Sequence, residues 1–394
     1  MMNKKLDVLL MNDNNLEVVG GAEESTKIII DGIKAKYKVG VIFPGKAVNQ
    51  ITKVDNIFTI SNYTRLKHLI KKPLLFLSYI REVKKIILQT KPKIIHTQAQ
   101  ASFFIVAFLK KIRMIPSDIY LIHTERGLFT KYNSLLRNIF YFFMKELDVL
   151  VTTTNFNMKH WKSALKKKNL SLKYSIIENT AGKLFEVFDN NLDHIDSEYL
   201  TIGFSGRFAD WKNWPLAVEI SKKLNDIIGD RLKVKMTVGC LDSTSLIKTQ
   251  EMFEYLNSLL NDRFIGEINV DMEQMNKFYY EVDIFVLTSN YNTESFGRTL
   301  VEAMSRKTVV LTTDAGGSVE VVGNPQNVHE TSKDFVDHIL KLYNDQNLMN
   351  KEKENNLKRV KEKYSLANNI NKHLELYERI INDELHTQLT DNNR

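Results

Sequence analysis

The feature that most constrains this chain is a repeated alternation of short apolar runs with stretches of helical periodicity. The runs in the first half are Asp7–Met11, Val39–Phe43, Lys93–Thr97, Ile119–Thr124, Val149–Thr153 and Tyr174–Ile177. In the second half they are Thr201–Ser205, Val234–Gly239, Phe264–Ile268, Ile284–Ser289 and Val309–Thr313. Most are apolar on both faces, as parallel strands covered by helices must be. A βαβα repetition of this kind folds as doubly wound α/β sheets, and eleven strands divide better into two sheets than one. The length of 394 residues agrees, since it suits two domains of roughly 150–200 residues. A polar stretch with little periodicity, Asp189 to Ser197, lies between the halves. The expected division is residues 1–182, residues 183–370 and a C-terminal segment 371–394 that ends in a polar tail from Thr387.

Composition narrows the classes. The single cysteine, Cys240, excludes an internal disulfide and a thiolate metal cluster, and favours a reducing compartment. No run approaches the roughly 18–20 apolar residues that span a bilayer. After Lys4 and Lys5 the apolar run is short and interrupted by Asp7, unlike a secretory signal, so the expected location is cytoplasmic. The net charge of +8 conceals an asymmetry: residues 1–180 hold 30 Lys+Arg against 13 Asp+Glu, a balance of +17, leaving −9 for the rest. A basic half suggests something anionic as its partner. Arg65 to Arg81 mixes cations with large apolar residues, and Lys159 to Lys173 is a basic cluster around Trp161. Both suit an anionic membrane surface, or equally the solvated faces of ordinary amphipathic helices. No nucleic-acid-binding module is present, so nucleic acid is not the expected partner.

Four strand ends carry residues suited to chemistry. Gly20-Gly21 opens a helix, where backbone N–H groups can approach a phosphate or a sugar hydroxyl, or simply form a tight turn. Gly206 to Asn213 places Arg207 and Lys212 after a strand, where open α/β sheets bind ligands and two cations can clamp a diphosphate. Glu294-Ser295-Phe296-Gly297-Arg298 leads into a helix containing Glu302. Its backbone N–H groups near Phe296 and Gly297 suit an anion, and its carboxylates suit sugar hydroxyls. Asp314 to Ser318 is a fourth glycine turn.

In order and spacing these motifs resemble the retaining GT-B glycosyltransferases of glycosyltransferase family 4, the glycosyl transferases group 1. The pieces are Gly20-Gly21, Arg207 with Lys212, Gly239, Phe264 to Gly266, Glu294 with Glu302, and Gly316-Gly317 with Glu320. The resemblance covers most of the chain and implies two Rossmann-like domains facing each other across a cleft. The first would bind the acceptor and the second a nucleotide-diphosphate sugar, expected to be UDP-linked. It implies that Arg207 and Lys212 hold the diphosphate, that Glu294 meets the donor sugar with backbone from Phe296 and Gly297, and that Glu302 holds the ribose. Gly21 and Gly239 would line the donor. His123 would face the transferred sugar, with His96 as its rival, and Gly20, His96, Glu125 and Arg126 would lie toward the acceptor. The last helix would cross back to the first domain.

By the same resemblance, the activity is retaining transfer to a glycan or lipid-linked acceptor in cell-surface polysaccharide biosynthesis, with no cofactor and no metal. The location would be cytoplasmic or peripheral on the inner face of the cell membrane. Three departures from the pattern stand out: Lys307 and Val309 replace a Gly-x-Pro, Arg298 replaces an apolar residue and offers the phosphates a third cation, and Thr288-Ser289 stands where Pro-Ser is usual. A nucleotide-sugar epimerase and a non-catalytic glycan-binding subunit of the same fold are the alternatives.

Overall fold

The computed structural model describes residues 5–17, 20–45, 56–60, 66, 71–190, 192 and 198–382. Arg65, residues 67–70 and the tail from Thr387 lie outside the described residues. The chain divides into two compact units, residues 1–179 with 367–394, and residues 180–366.

The first unit runs β1 (Val8–Met11), α1 (Gly21–Ile33), β2 (Val39–Phe43), β3 (Ile57–Thr59), α2 (Pro73–Thr90), β4 (Ile94–Thr97), α3 (Gln100–Lys111), β5 (Tyr120–Glu125), α4 (Ser134–Phe143), β6 (Val149–Thr152), α5 (Asn155–Lys166) and β7 (Lys173–Ile176). The second runs β8 (Leu200–Arg207), α6 (Trp214–Ile228), β9 (Leu232–Gly239), α7 (Ser243–Leu260), β10 (Phe264–Ile268), α8 (Met272–Tyr280), β11 (Ile284–Leu287), α9 (Arg298–Met304), β12 (Val309–Thr312), α10 (Gly317–Val322), α11 (Ser332–Asn344) and α12 (Gln346–Arg359). Helix α13 (Leu366–Ile381) begins at the end of the second unit and belongs almost wholly to the first.

Every strand pair is parallel, in the orders β3-β2-β1-β4-β5-β6-β7 and β10-β9-β8-β11-β12. In each sheet the chain walks outward from a first strand, then returns to that strand's other side. The reversals fall between β1 and β4 and between β8 and β11. At such a switch point neighbouring loops leave in opposite directions and open a crevice at the carboxyl ends of the strands. Edge strand β3 is short and partly exposed, and it lacks the apolar run that marks the other eleven.

Strands β1, β2, β4 and β6 of the first sheet are buried on both faces and β5 nearly so, which is why they read as apolar runs. Helices α2 to α5 contribute Tyr79, Val83, Phe103, Phe140 and Trp161 to the core on one face. Helices α1 and α13 contribute Ile29, Ile33, Tyr377 and Ile380 to the other. Trp161 is fully buried, so it is a core residue and not a surface anchor for the basic cluster around it. Asp13 follows β1 and caps α3: its carboxylate accepts from the Ala101 N–H at 2.9 Å, the Ser102 N–H at 2.7 Å and the Ser102 hydroxyl.

Two histidines are built into this core. His96 contacts the Tyr377 hydroxyl through Nδ1 at 2.6 Å and Thr124 Oγ1 through Nε2 at 2.7 Å. His373 on α13 bonds the Asn369 carbonyl through Nδ1 at 2.9 Å. Burial holds His373 neutral, lowering its pKa to about 4, and burial also pushes His96 well below its ordinary value. The unfolded chain takes up these protons near pH 6.5 and the native chain does not. Stability is therefore complete above pH 6.5 and falls as pH drops toward 4, by roughly 3 kcal/mol from His373 alone. Denaturant titrations at pH 7 and pH 4.5 should show this loss, and His373→Gln should reduce it, leaving the part that comes from His96.

Candidate active site

The reversal in the second sheet brings two sequence-predicted segments together. Strand β8 ends at Arg207, opposite Gly239 of β9, and the chain then turns through Asp210–Lys212. This loop is tied to the end of β11: the Asn290 N–H donates to the Trp211 carbonyl at 2.8 Å, and the Thr288 hydroxyl donates to the Lys212 carbonyl at 2.9 Å. Lys212 Nζ reaches Glu294 Oε1 at 2.7 Å, with both side chains about 15% exposed. The Ser289 hydroxyl donates to the same oxygen at 2.8 Å. Gly206 makes this reach possible, since a Cβ there would lie 3.1 Å from Lys212 Cε. Arg207 is exposed at the same strand end.

The Glu294 segment is held from the other side by the glycine turn. The Glu294 N–H donates to the Ala315 carbonyl, and the Gly317 N–H donates to the Glu294 carbonyl, both at 2.8 Å. A Cβ on Gly317 would lie 2.1 Å from the Ser295 carbonyl oxygen, so only glycine fits there. Gly297 has φ +93° and redirects the chain into α9. The Phe296 side chain is buried against Tyr364, so Phe296 and Gly297 can offer a ligand backbone only. Glu302 is buried one turn into α9, and its carboxylate lies between Arg298 Nε at 3.1 Å and the Tyr279 hydroxyl at 2.9 Å.

In the first unit, Ser25 of α1, Gln98 after β4, Arg126 after β5 and Asn179 after β7 converge beyond the strand ends. Arg126 donates to Asn179 Oδ1 at 2.7 Å and Gln98 Oε1 at 2.8 Å, and the Ser25 hydroxyl lies 3.4 Å from Asn179 Oδ1. Gln98 is buried, and its Nε2 has no hydrogen-bond partner among the described residues. Gly20 is extended before α1, and a Cβ there would strike the Glu23 carboxylate. With Glu23 and Glu24 in the first turn, this helix end suits a hydroxyl-bearing ligand better than a phosphate. Among the described residues, nothing beyond its chain neighbours and its own helix backbone lies within 4 Å of the Cβ position of Gly21.

Residues 190–359 match the family described as Glycosyl transferases group 1, and residues 19–171 match Glycosyltransferase Family 4. The chain is a GT-B glycosyltransferase. It is 24% identical over 318 residues to the capsular polysaccharide biosynthesis glycosyltransferase CapM of Staphylococcus aureus, covering 75% of this chain and 80% of CapM. Its fold is that of HepE from Anabaena, solved with UDP, at TM-score 0.70 and 15% identity over 94% of this chain and 99% of HepE. It is likewise that of a Thermosynechococcus elongatus sucrose-phosphate synthase, at TM-score 0.76 and 13% identity over 96% of this chain and all of that one.

The structure of this glycosyltransferase places some sequence-predicted residues differently from expectation. His96 is a core residue whose two ring nitrogens are engaged by Tyr377 and Thr124. His123 is also fully buried: Nδ1 faces Thr97 Oγ1 at 3.0 Å, Nε2 faces Glu125 Oε2 at 3.3 Å, and the ring stacks on Phe103. Glu125 is spent on the Gly127 N–H and the Tyr132 hydroxyl. These three shape the floor beneath the strand ends; Arg126, partly exposed above them, is the one placed among polar side chains. Arg298 donates to the Ala181 carbonyl at 2.6 Å and pairs with Glu302, so it braces that carboxylate and is not a spare cation. Lys307 keeps the left-handed backbone, φ +55°, that a glycine would adopt, and its ammonium pairs with Glu354.

Tyr279, Gln98, Ser25 and Asn179 were not singled out from the sequence, and Ser289 only as part of a departure from the usual Pro-Ser. For Gln98, Ser289 and Asn179 the available signal was a polar residue within a few positions of a strand's carboxyl end.

Proposed function

We propose that this glycosyltransferase moves a sugar from a UDP-linked donor to a glycan or lipid-linked acceptor in cell-surface polysaccharide biosynthesis, with retention of anomeric configuration and without a metal. The observation that carries the reading is the Lys212–Glu294 ion pair beside Arg207 at the switch point of the second sheet. As the anomeric carbon–oxygen bond breaks, negative charge builds on the diphosphate. Arg207 and Lys212 supply positive charge where it is needed, the role a metal would otherwise fill. Glu294, held by Lys212 and Ser289, accepts hydroxyls of the transferred sugar. Glu302, braced by Arg298 and Tyr279, is assigned to the ribose. Arg126, Gln98 and Asn179 are assigned to the acceptor. HepE, solved with UDP and with UDP-glucose, supports the choice of base, and the name of CapM supports the choice of pathway.

The test is a thermal-shift panel of nucleotide diphosphates and nucleotide sugars. A ligand at about 100 times its Kd adds roughly 2.7 kcal/mol. That corresponds to a rise of about 5–10 °C for a unit of this size. The uridine series should raise Tm in this way in EDTA as well as in magnesium, and Arg207→Ala and Glu302→Ala should remove the rise. A shift with another base alone, or one that needs the metal, would overturn that part of the proposal.

A further inference from the structure

The chain leaving β8 passes through two tryptophans, and only one of them enters the core. Trp214 opens α6, is buried in the second unit and donates its indole N–H to the Arg207 carbonyl at 3.2 Å. Trp211, three residues earlier, is 44% exposed. The neighbouring loop after β11 presents Tyr291 in the same way, at 72% exposure. Two large aromatic side chains kept in water forgo the stabilisation that burial would give them. Core packing therefore does not account for either.

Both turns are held fixed. Residues 288–290 take up the three carbonyls of the 210–212 turn: the Thr288 hydroxyl donates to Lys212, the Asn290 N–H to Trp211, and the Asn290 side chain to Asp210 at 3.1 Å. The second turn is closed by the Thr293 hydroxyl, which donates to the Asn290 carbonyl at 2.7 Å, and by the Thr293 N–H, which donates to the Ala315 carbonyl at 3.0 Å. Trp211 is thus bonded through its backbone to the residue before Tyr291, while the residue after Trp211, Lys212, reaches Glu294. An aromatic side chain on fixed backbone has two torsions to lose on binding, so it offers large contact area at low entropic cost.

A pyranose ring presents a face of C–H groups, with hydroxyls around its rim. The negative face of an aromatic ring attracts the partly positive C–H hydrogens and leaves the rim free for hydrogen bonds. A nucleobase could stack as well, but the ribose is assigned to Glu302, and these aromatics flank Glu294 at the sugar end. The acceptor must touch the transferred sugar at the moment of transfer, so the next sugar ring also belongs beside Glu294. Resting on the sugar-transfer reading, we propose that Trp211 and Tyr291 form a stacking platform for a pyranose ring of a glycan acceptor.

The chain has three tryptophans, and Trp161 and Trp214 are buried, so iodide quenches chiefly the fluorescence of Trp211. The full chain loaded with UDP would be titrated with soluble hexasaccharides of glucose, galactose, mannose or N-acetylglucosamine. At least one of them should shield the fluorescence from iodide, and Tyr291→Ala should raise the concentration needed by about fivefold to tenfold. In transfer assays on a glycan fraction, Trp211→Ala should raise KM for that acceptor by a similar factor. Its kcat, its Tm and its uridine thermal shift should stay near wild type, and Trp211→Phe, which keeps a ring, should recover most of the affinity. No shielding by any hexasaccharide, an unchanged acceptor KM in both alanine variants, or loss of the uridine thermal shift in either would overturn the platform and leave sugar transfer standing. Shielding by a hexasaccharide without transfer by the wild-type chain would instead sink the sugar-transfer reading and uphold carbohydrate binding at these two rings.

Discussion

Lys212→Ala should lower kcat by about 100- to 1,000-fold, the scale seen when one preorganised group facing developing charge is removed. The ammonium is 2.7 Å from Glu294 and only 15% exposed, so water does not readily replace it. Its removal also takes the Lys212 contact from the Glu294 carboxylate, which should disturb the sugar contact proposed for it. Lys212→Arg should recover only part of the activity, because the planar guanidinium must fit over Gly206, where the present stem already lies close to the Cβ position. The reading is steady-state kinetics at saturating donor, with Tm as the control. A variant within tenfold of wild type would remove Lys212 from the chemistry.

The second large effect is on structure. Gly317→Ala places a methyl group 2.1 Å from the Ser295 carbonyl oxygen and 2.4 Å from its carbon, so backbone must move. Overpacking of this kind costs roughly 1–3 kcal/mol. For a unit of this size that lowers Tm by about 3–10 °C. The displaced segment carries Glu294, so the nucleotide-dependent thermal shift should shrink with it. Gly21→Ala is the contrast: among the described residues no atom other than its chain neighbours and its own helix backbone lies within 4 Å of that Cβ position, and alanine is the better helix former, so Tm should hold or rise slightly. Equal destabilisation by the two changes would contradict the steric account.

The central strands were legible because both their faces are buried, which writes an apolar run into the sequence. Ile57–Thr59 escaped because it is three residues long as well as partly exposed, too short for a run to show. The loops at the switch point of the second sheet were legible for a related reason. Gly206, Gly239, Gly297 and Gly317 stand where strands end and chains crowd, and the charged residues follow them at fixed steps. The first unit was harder. A histidine at a strand end looks the same in a sequence whether it faces a ligand or a threonine in the core. The structure places His96 and His123 in the second kind of setting, because Tyr377 reaches His96, and Thr97 and Phe103 reach His123, from positions distant in the sequence. Arg298 misled in the same way: its partner Glu302 lies one helical turn along, where an i,i+4 pair forms as readily as a phosphate contact.

The most direct test of the central claim is transfer itself. The purified chain would be incubated with a UDP-sugar labelled in the sugar and with a lipid and glycan fraction as acceptor, following both free UDP and label in the acceptor. The account predicts that UDP release and acceptor labelling rise together, that the new linkage keeps the donor's anomeric configuration, and that Lys212→Ala suppresses both. UDP release without labelled acceptor, an altered free sugar as the product, or equal transfer by Lys212→Ala would contradict it.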